Sequence, residues 1–180
     1  MIQVRHEKSA AQPALIYVVG FMGAGKTSVG LRLAELLGWR FVDLDQEIER
    51  NAGESIRAIF KARGEAWFRA AERAELEKAS RLVNAVVALG GGAFCSEENR
   101  RIVDATGISV WLDVTIETIY DRCAGDATRP LFGSLSEMDL LLKKRRPFYE
   151  KSRRRVSADN LSVDEIAQKI LRLFAASHAK

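Results

Sequence analysis

Cysteine is nearly absent. The chain holds two, Cys95 and Cys123, too few for a disulfide framework, so a reducing cytoplasm is the expected setting. No apolar run approaches the roughly 20 residues that a bilayer-spanning helix needs, which sets the membrane aside as a partner. Prolines number three, and neither a low-complexity linker nor an internal repeat breaks the chain, so a repeat array or a tethered multidomain protein is not indicated. The first 13 residues, MIQVRHEKSAAQP, contain no apolar signal core and read as a short loose extension. Charge of one sign is not in large excess. A net charge of +4 and a pI near 9.2 favour anionic ligands without choosing among nucleotides, carboxylated metabolites and nucleic acid.

What is present fits one compact domain. The chain has 180 residues, 47% of them hydrophobic, enough to bury a real core. Short apolar runs at Leu15–Val19, Phe41–Leu44, Ala85–Leu89 and Ile108–Leu112 alternate with segments of helical periodicity. Helices are predicted after the first strand up to Gly38, from Gln46, from Ile56 behind a Ser55 cap, and over 66–81, 97–105, 115–123, 137–149 and 163–176. Residues 124–135 read as a polar loop and Arg155–Ser157 as a short last strand. The alternation predicts one α/β domain over residues 14–176, with a tail at 177–180. Its sheet would be mostly parallel, with helices on both faces and ligands at the carboxyl ends of the strands.

The first strand runs into GFMGAGKT, residues 20–27, and then into a helix. This is the context that G-x-x-x-x-G-K-[ST] requires. Glycines let the backbone curl so that successive N–H groups face phosphate oxygens, and the helix start adds its positive end. The candidate nucleotide-binding residues are therefore Gly23, Ala24, Gly25, Lys26, Thr27 and Ser28. Lys26 would reach the β- and γ-phosphates and Thr27 would ligate Mg²⁺. A glycine-rich turn with an incidental lysine is the competing reading.

The second strand ends FVDLD. On an extended segment Asp43 and Asp45 point the same way, one suited to a metal shell and the other to a proton from an attacking hydroxyl. A solvated strand end or a helix cap would use the same residues. Further on, GEAWFRAAERAEL places Arg69, Glu72 and Arg73 on one helix face, a spacing that by itself usually means a solvated ion-pair face. ALGGGAF follows the third strand, and its consecutive glycines mark either a close approach or a flexible turn. RCAGDATRPLF and KKRRPFYEKSRRR supply arginines suited to carboxylates and phosphates. Pro147-Phe148-Tyr149 should anchor the second of these segments against the core.

Taken in order, GFMGAGKT, FVDLD, SIRAIF, GEAWFR with Glu72, LGGG, TRPL and KRRPFY resemble the shikimate kinase family. The resemblance runs from about Leu15 to Ile170. It implies a three-layer α/β P-loop kinase fold with a five-stranded parallel sheet. A substrate-binding segment would lie at about 45–80 and a lid at about 124–136. It also implies transfer of the ATP γ-phosphoryl group to the 3-hydroxyl of shikimate, with Mg²⁺ as cofactor, by a monomer that needs neither nucleic acid nor membrane. Carried over residue by residue, Lys26, Asp45 and Arg129 would be catalytic, with Asp45 binding shikimate hydroxyls. Thr27 and Asp43 would serve the metal. Arg122 would lie near the adenine, and Arg129 on the lid against the transferring phosphate. Arg69 and Arg145 would clamp the substrate carboxylate, Glu72 would hold an arginine, Phe60 and Phe68 would wall the ring, and Gly90, Gly91 and Gly92 would line the substrate.

The chain departs from the family pattern in its GKTS cradle, in a short interval from Arg129 to Arg145, and in having two arginines before Pro147. The register to Pro147 and Tyr149 selects Arg145, with Arg146 as its rival. Another small-metabolite kinase, such as a gluconate kinase, would share the cradle and the lid. A non-catalytic nucleotide-binding regulator would not need the acceptor-side carboxylates and arginines, and a nucleic-acid binder would leave the acidic pair and the triple glycine without a use.

Overall fold

A computed structural model describes residues 15–124 and 134–178. The expected N-terminal extension, most of the expected lid with Arg129, and the last two residues lie outside that range.

Five strands form one sheet: β1 (Leu15–Val19), β2 (Arg40–Asp43), β3 (Ala85–Ala88), β4 (Ile108–Asp113) and β5 (Arg154–Ser157). They are ordered β2-β3-β1-β4-β5 and all run parallel. Parallel neighbours need a crossover, and helices supply it. They are α1 (Lys26–Leu37), α2 (Leu44–Ala52), α3 (Ile56–Ala79), α4 (Glu97–Thr106), α5 (Ile116–Ala124), α6 (Leu135–Tyr149) and α7 (Val163–His178). Every residue of β1 and β3 is buried, which is why both read as unbroken apolar runs rather than as alternation. Register sets Tyr17 beside Val87 and Ser109, and the Tyr17 hydroxyl is satisfied by Thr106 at 2.7 Å.

The main core joins the sheet to α1 and α7 and takes in Trp111, Tyr149, Phe21 and Phe94. Burial of each such side chain contributes roughly 1.5–3 kcal/mol. A smaller cluster of Ile48, Ile59 and Phe68 packs α2 on α3, so the 45–80 region carries a small core of its own. Ser55 caps α3 as expected, accepting from Ala58 N at 3.3 Å. The helices predicted from Ile56 and from Ala66 join into one run, interrupted at Gly64 (φ 77°, ψ 174°), a conformation only glycine adopts readily. The start of α6 falls earlier than predicted because Ser134 and Glu137 form a reciprocal capping box. Among the described residues no helix is long and apolar enough to cross a membrane.

Candidate active site

A cleft of about 320 Å³ opens at the carboxyl ends of β1 and β3, lined by the glycine-rich loop, Asp43, Asp45, Gly91 and Arg122. Its floor is built by the glycines. Gly23 (φ 75°) and Gly25 (φ 90°) take left-handed conformations, turning the chain from β1 into α1. Gly25 stands at the N-cap with no side chain capping the helix, so the first N–H groups of α1 remain available to an anion. Ala24 is buried beneath the loop and Ser28 is exposed at the cleft. Lys26 Nζ lies along the loop, donating to Phe21 O at 2.9 Å.

Asp43 and Asp45 are brought together, but not as neighbours on a strand. Asp43 ends β2 and caps α2, its Oδ1 accepting from Asp45 N at 3.0 Å and Gln46 N at 3.4 Å. Asp45 therefore sits in the first turn of a helix, which starts sooner than the sequence suggests because this cap is so effective. The cap and the expected metal-shell position are the same residue: Asp43 Oδ2 also accepts from Thr27 Oγ1 at 2.6 Å. Asp45 Oδ1 is buried without a hydrogen-bond partner among the described residues. Burial pushes the Asp45 carboxyl up from its usual range, helped by Asp43 and Glu49 and opposed by Lys26 and Arg69.

The triple glycine is a place of close approach. A Cβ at Gly90 would stand 2.6 Å from Asp45 Oδ1 and 2.8 Å from Glu72 Oε1. At Gly91 it would meet Met22 N at 3.3 Å and Arg145 Nη1 at 3.5 Å, and at Gly92 the Arg69 guanidinium nitrogens at 2.7 and 2.8 Å. Three glycines thus touch two carboxylates and two guanidinium groups drawn from α2, α3 and α6.

Spacing alone favours a solvated face for Arg69, Glu72 and Arg73, and this holds only for Arg73, which pairs with the exposed Glu98. Glu72 is 1% exposed, because α3 turns it onto the glycine loop. Its Oε2 accepts from Arg69 Nη1 at 2.8 Å, while Oε1 has no hydrogen-bond partner among the described residues. Burial raises the Glu72 carboxyl, against the pull of Arg69. Arg69 also pairs with Glu65 at 3.2 Å and lies 5.2 Å from the Phe68 ring. Phe60 and Phe68 stack at 4.7 Å, Phe68 buried and Phe60 partly open.

Arg145 and Arg146 diverge. Arg145 faces Gly91 and the Phe21 ring, 5.8 Å away. Arg146 lies over Trp111 and pairs with Asp113 at 3.5 Å and Glu150 at 3.3 Å. Arg122 borders the cradle, its Nη1 3.9 Å from the Cβ position of Gly25.

Two supports were not foreseen from the sequence. On α4, Asn99 Nδ2 donates to Ala93 O at 3.0 Å, and Arg100 Nη1 donates to Phe94 O at 2.9 Å and Cys95 O at 2.8 Å. Both side chains are buried and brace the turn that follows the glycines. SEENRR reads as an ordinary solvated helix start, so nothing local marks these two residues.

Among the described residues no cluster of three or more His, Cys, Asp or Glu side chains is placed to hold a metal. Thr27 Oγ1 and Asp43 Oδ2 instead offer two hard oxygens at the cradle. That partial set suits Mg²⁺, which keeps several waters and takes its other ligands from phosphates.

A glycine cradle on the switch between β1 and β3, with carboxylates and arginines facing it across a cleft, defines a P-loop phosphotransferase for small molecules. A profile of the family described as shikimate kinase matches residues 22–175, and the chain belongs to the shikimate kinase family. The shikimate kinase of Persephonella marina is 43% identical over 157 residues, covering 87% of this chain and 96% of its own. The structure of shikimate kinase from Acinetobacter baumannii in complex with shikimate matches with a TM-score of 0.88 at 38% identity, over 94% of this chain and 97% of that one. Shikimate kinase from Aquifex aeolicus matches with a TM-score of 0.82 at 33% identity, over 92% and 99%. A gluconokinase from Sinorhizobium meliloti, at 20% identity and a TM-score of 0.57, shares the fold alone.

Proposed function

We propose that this chain transfers the γ-phosphoryl group of ATP to the 3-hydroxyl of shikimate, giving shikimate 3-phosphate and ADP. The observation that carries the reading is the convergence of Asp45, Glu72, Arg69 and Arg145 on three consecutive glycines beside the phosphate cradle.

The cradle N–H groups of Gly23, Ala24, Gly25, Thr27 and Ser28 hold the phosphates, and Lys26 neutralises charge as it builds on the β–γ bridge. Asp45 hydrogen-bonds the acceptor hydroxyl and orients it for in-line attack. The hydroxyl oxygen forms the new bond to the γ-phosphorus, the bond to the β–γ bridging oxygen breaks, and the hydroxyl proton passes to Asp45. Arg69 and Arg145 hold the carboxylate of the substrate, with Glu72 fixing the Arg69 fork. Gly90, Gly91 and Gly92 let the ring come close to the backbone, and Phe60 and Phe68 flank it. Arg129, beyond the described residues, is assigned to the transferring phosphate and Arg122 to the adenine side. When bound, Mg²⁺ supplies charge neutralisation at the phosphates, and Thr27 and Asp43 would hold it directly or through water.

The reading extends to a monomer in the cytoplasm acting on small molecules. Within the basic run, Arg146 and Arg155 pair with Asp113 and Arg153 with Asp104, so much of its charge is used inside the fold rather than offered to nucleic acid.

ADP release with Mg·ATP, measured against shikimate, quinate, gluconate and nucleoside monophosphates, tests the assignment. Strong stimulation by shikimate is expected. Stimulation by gluconate with none by shikimate would overturn it.

A further inference from the structure

From Gly90 to Cys95 every backbone carbonyl is taken by the protein itself. Gly90 O and Gly92 O accept from Ala93 N and Cys95 N, each at 3.0 Å. Ala93 O accepts from the Asn99 side chain, and Phe94 O and Cys95 O accept from Arg100. The remaining carbonyl, that of Gly91, accepts from the Tyr149 hydroxyl at 2.5 Å. The N–H groups of Gly91 and Gly92 have no hydrogen-bond partner among the described residues. The loop thus commits its acceptors to the fold and keeps two donors, at the same glycines that the Arg145 and Arg69 guanidinium groups approach.

Gly91 O is the carbonyl in this row that stands between two glycines. The peptide joining Gly91 to Gly92 is trans, so its C=O and its N–H point to opposite sides. Glycine on both sides lets such a peptide turn over at little steric cost. Turned over, it would set a carbonyl oxygen where the Gly92 N–H now lies, and that oxygen would repel an anion. Tyr149 opposes the turn. It ends α6, is 0% exposed, and packs its ring against Trp111 at 6.1 Å, so the core fixes where its hydroxyl stands.

We propose that Tyr149 is a positioning residue for substrate binding: its hydroxyl holds the Gly91 carbonyl against α6, which presents the Gly92 N–H to the substrate carboxylate. Its own burial keeps it from touching the substrate. The proposal rests on the reading of Arg69 and Arg145 as carboxylate ligands, because these two mark where the carboxylate lies.

The test compares the parent with Tyr149→Phe and Tyr17→Phe, by thermal melting and by steady-state kinetics with shikimate and ATP varied in turn. Each variant removes one buried hydroxyl and keeps its ring. The Tyr17 hydroxyl bonds Thr106 at 2.7 Å, at the far end of α4 from Asn99, so its loss reports on stability alone. Both variants should melt below the parent. Only Tyr149→Phe should raise the shikimate KM, about tenfold, the scale of one hydrogen bond to a charged group, with the ATP KM within about twofold. Equal rises in shikimate KM in the two variants, or an ATP KM that rises in step, would trace the effect to general loosening and overturn the proposal. An unchanged shikimate KM in Tyr149→Phe would overturn it too, while leaving the proposed function standing. A parent that shikimate does not stimulate would overturn that function, and this role with it.

Discussion

The carboxylates of Asp45 and Glu72 meet at Gly90, each with one oxygen within 3 Å of the point where a side chain would begin, at 2.6 and 2.8 Å. Neither of these oxygens has a hydrogen-bond partner among the described residues. Two buried acceptors with nothing to accept from cost stability, and such a cost is usually retained where a ligand supplies the donors.

Gly90→Ala should therefore be severe. The added methyl group would force the two carboxylates apart or shift the β3 end, at a cost of about 1–3 kcal/mol typical of overpacking. The expected result is a folded protein whose kcat/KM for shikimate falls at least about 100-fold. A variant with normal kinetics would show that the loop does not need this approach.

Asp45→Asn should separate catalysis from stability. Its carboxyl is raised in the folded chain, chiefly by burial, so the folded state holds the proton more tightly than the unfolded chain does. The sign follows: its contribution to stability is most favourable below the unfolded pKa and is lost as pH rises through the folded value. A neutral amide escapes that loss. Asp45→Asn should thus melt about 2–4 °C higher than the parent at pH 7, the shift expected of ~1 kcal/mol in a chain of this size, with the difference closing toward pH 4. Its turnover should fall at least ~100-fold, as should that of Lys26→Ala. Near-normal kcat in either variant would contradict the assigned chemistry, and a lower melting temperature at pH 7 would contradict the cost of the buried charge.

These two positions also show what the sequence can and cannot reveal. The cradle, the alternation of strands and helices and the acidic pair were legible because each is local: glycine spacing, apolar runs, and carboxylates at a strand end. The helical placement of Asp45 was not, because Asp43 looks the same as a strand terminus and as a cap. Spacing alone read Glu72 as solvated, because helix spacing reports which residues share a face and not what that face meets; only the family resemblance gave it an arginine to hold. Only the packing of α3 on the glycine loop decides it. Arg100 was invisible for a related reason: its partners are carbonyls, which leave no mark in a sequence.

Arg100→Ala should expose that hidden brace. Its loss leaves the carbonyls of Phe94 and Cys95 without their buried donor and removes the guanidinium that lies 5.4 Å from the Phe148 ring. A destabilisation of about 2 kcal/mol is expected, lowering the melting temperature by about 4–8 °C. Because the braced turn follows Gly92 directly, the shikimate KM should rise severalfold while the ATP KM holds. Chemical denaturation together with kinetics checks both parts, and an unchanged midpoint would show that water replaces the side chain without loss.

Arg69→Ala and Arg146→Ala form the sharpest contrast. Arg69 presses on Gly92 and is fixed by the buried Glu72. Removing it strips the proposed carboxylate ligand and leaves Glu72 buried and unpaired. The shikimate KM should rise about 10–100-fold, in line with the loss of a charge-assisted pair, with a smaller effect on kcat. Arg146 carries the same charge one residue from Arg145, yet it stacks on Trp111 and pairs with Asp113 and Glu150 at the other side of α6. Partly exposed ion pairs of this kind contribute little, so Arg146→Ala should leave both KM values within about twofold and lower the melting temperature only slightly. If Arg146→Ala raised the shikimate KM as much as Arg69→Ala, net positive charge near the cleft, and not the direction each guanidinium faces, would govern substrate binding.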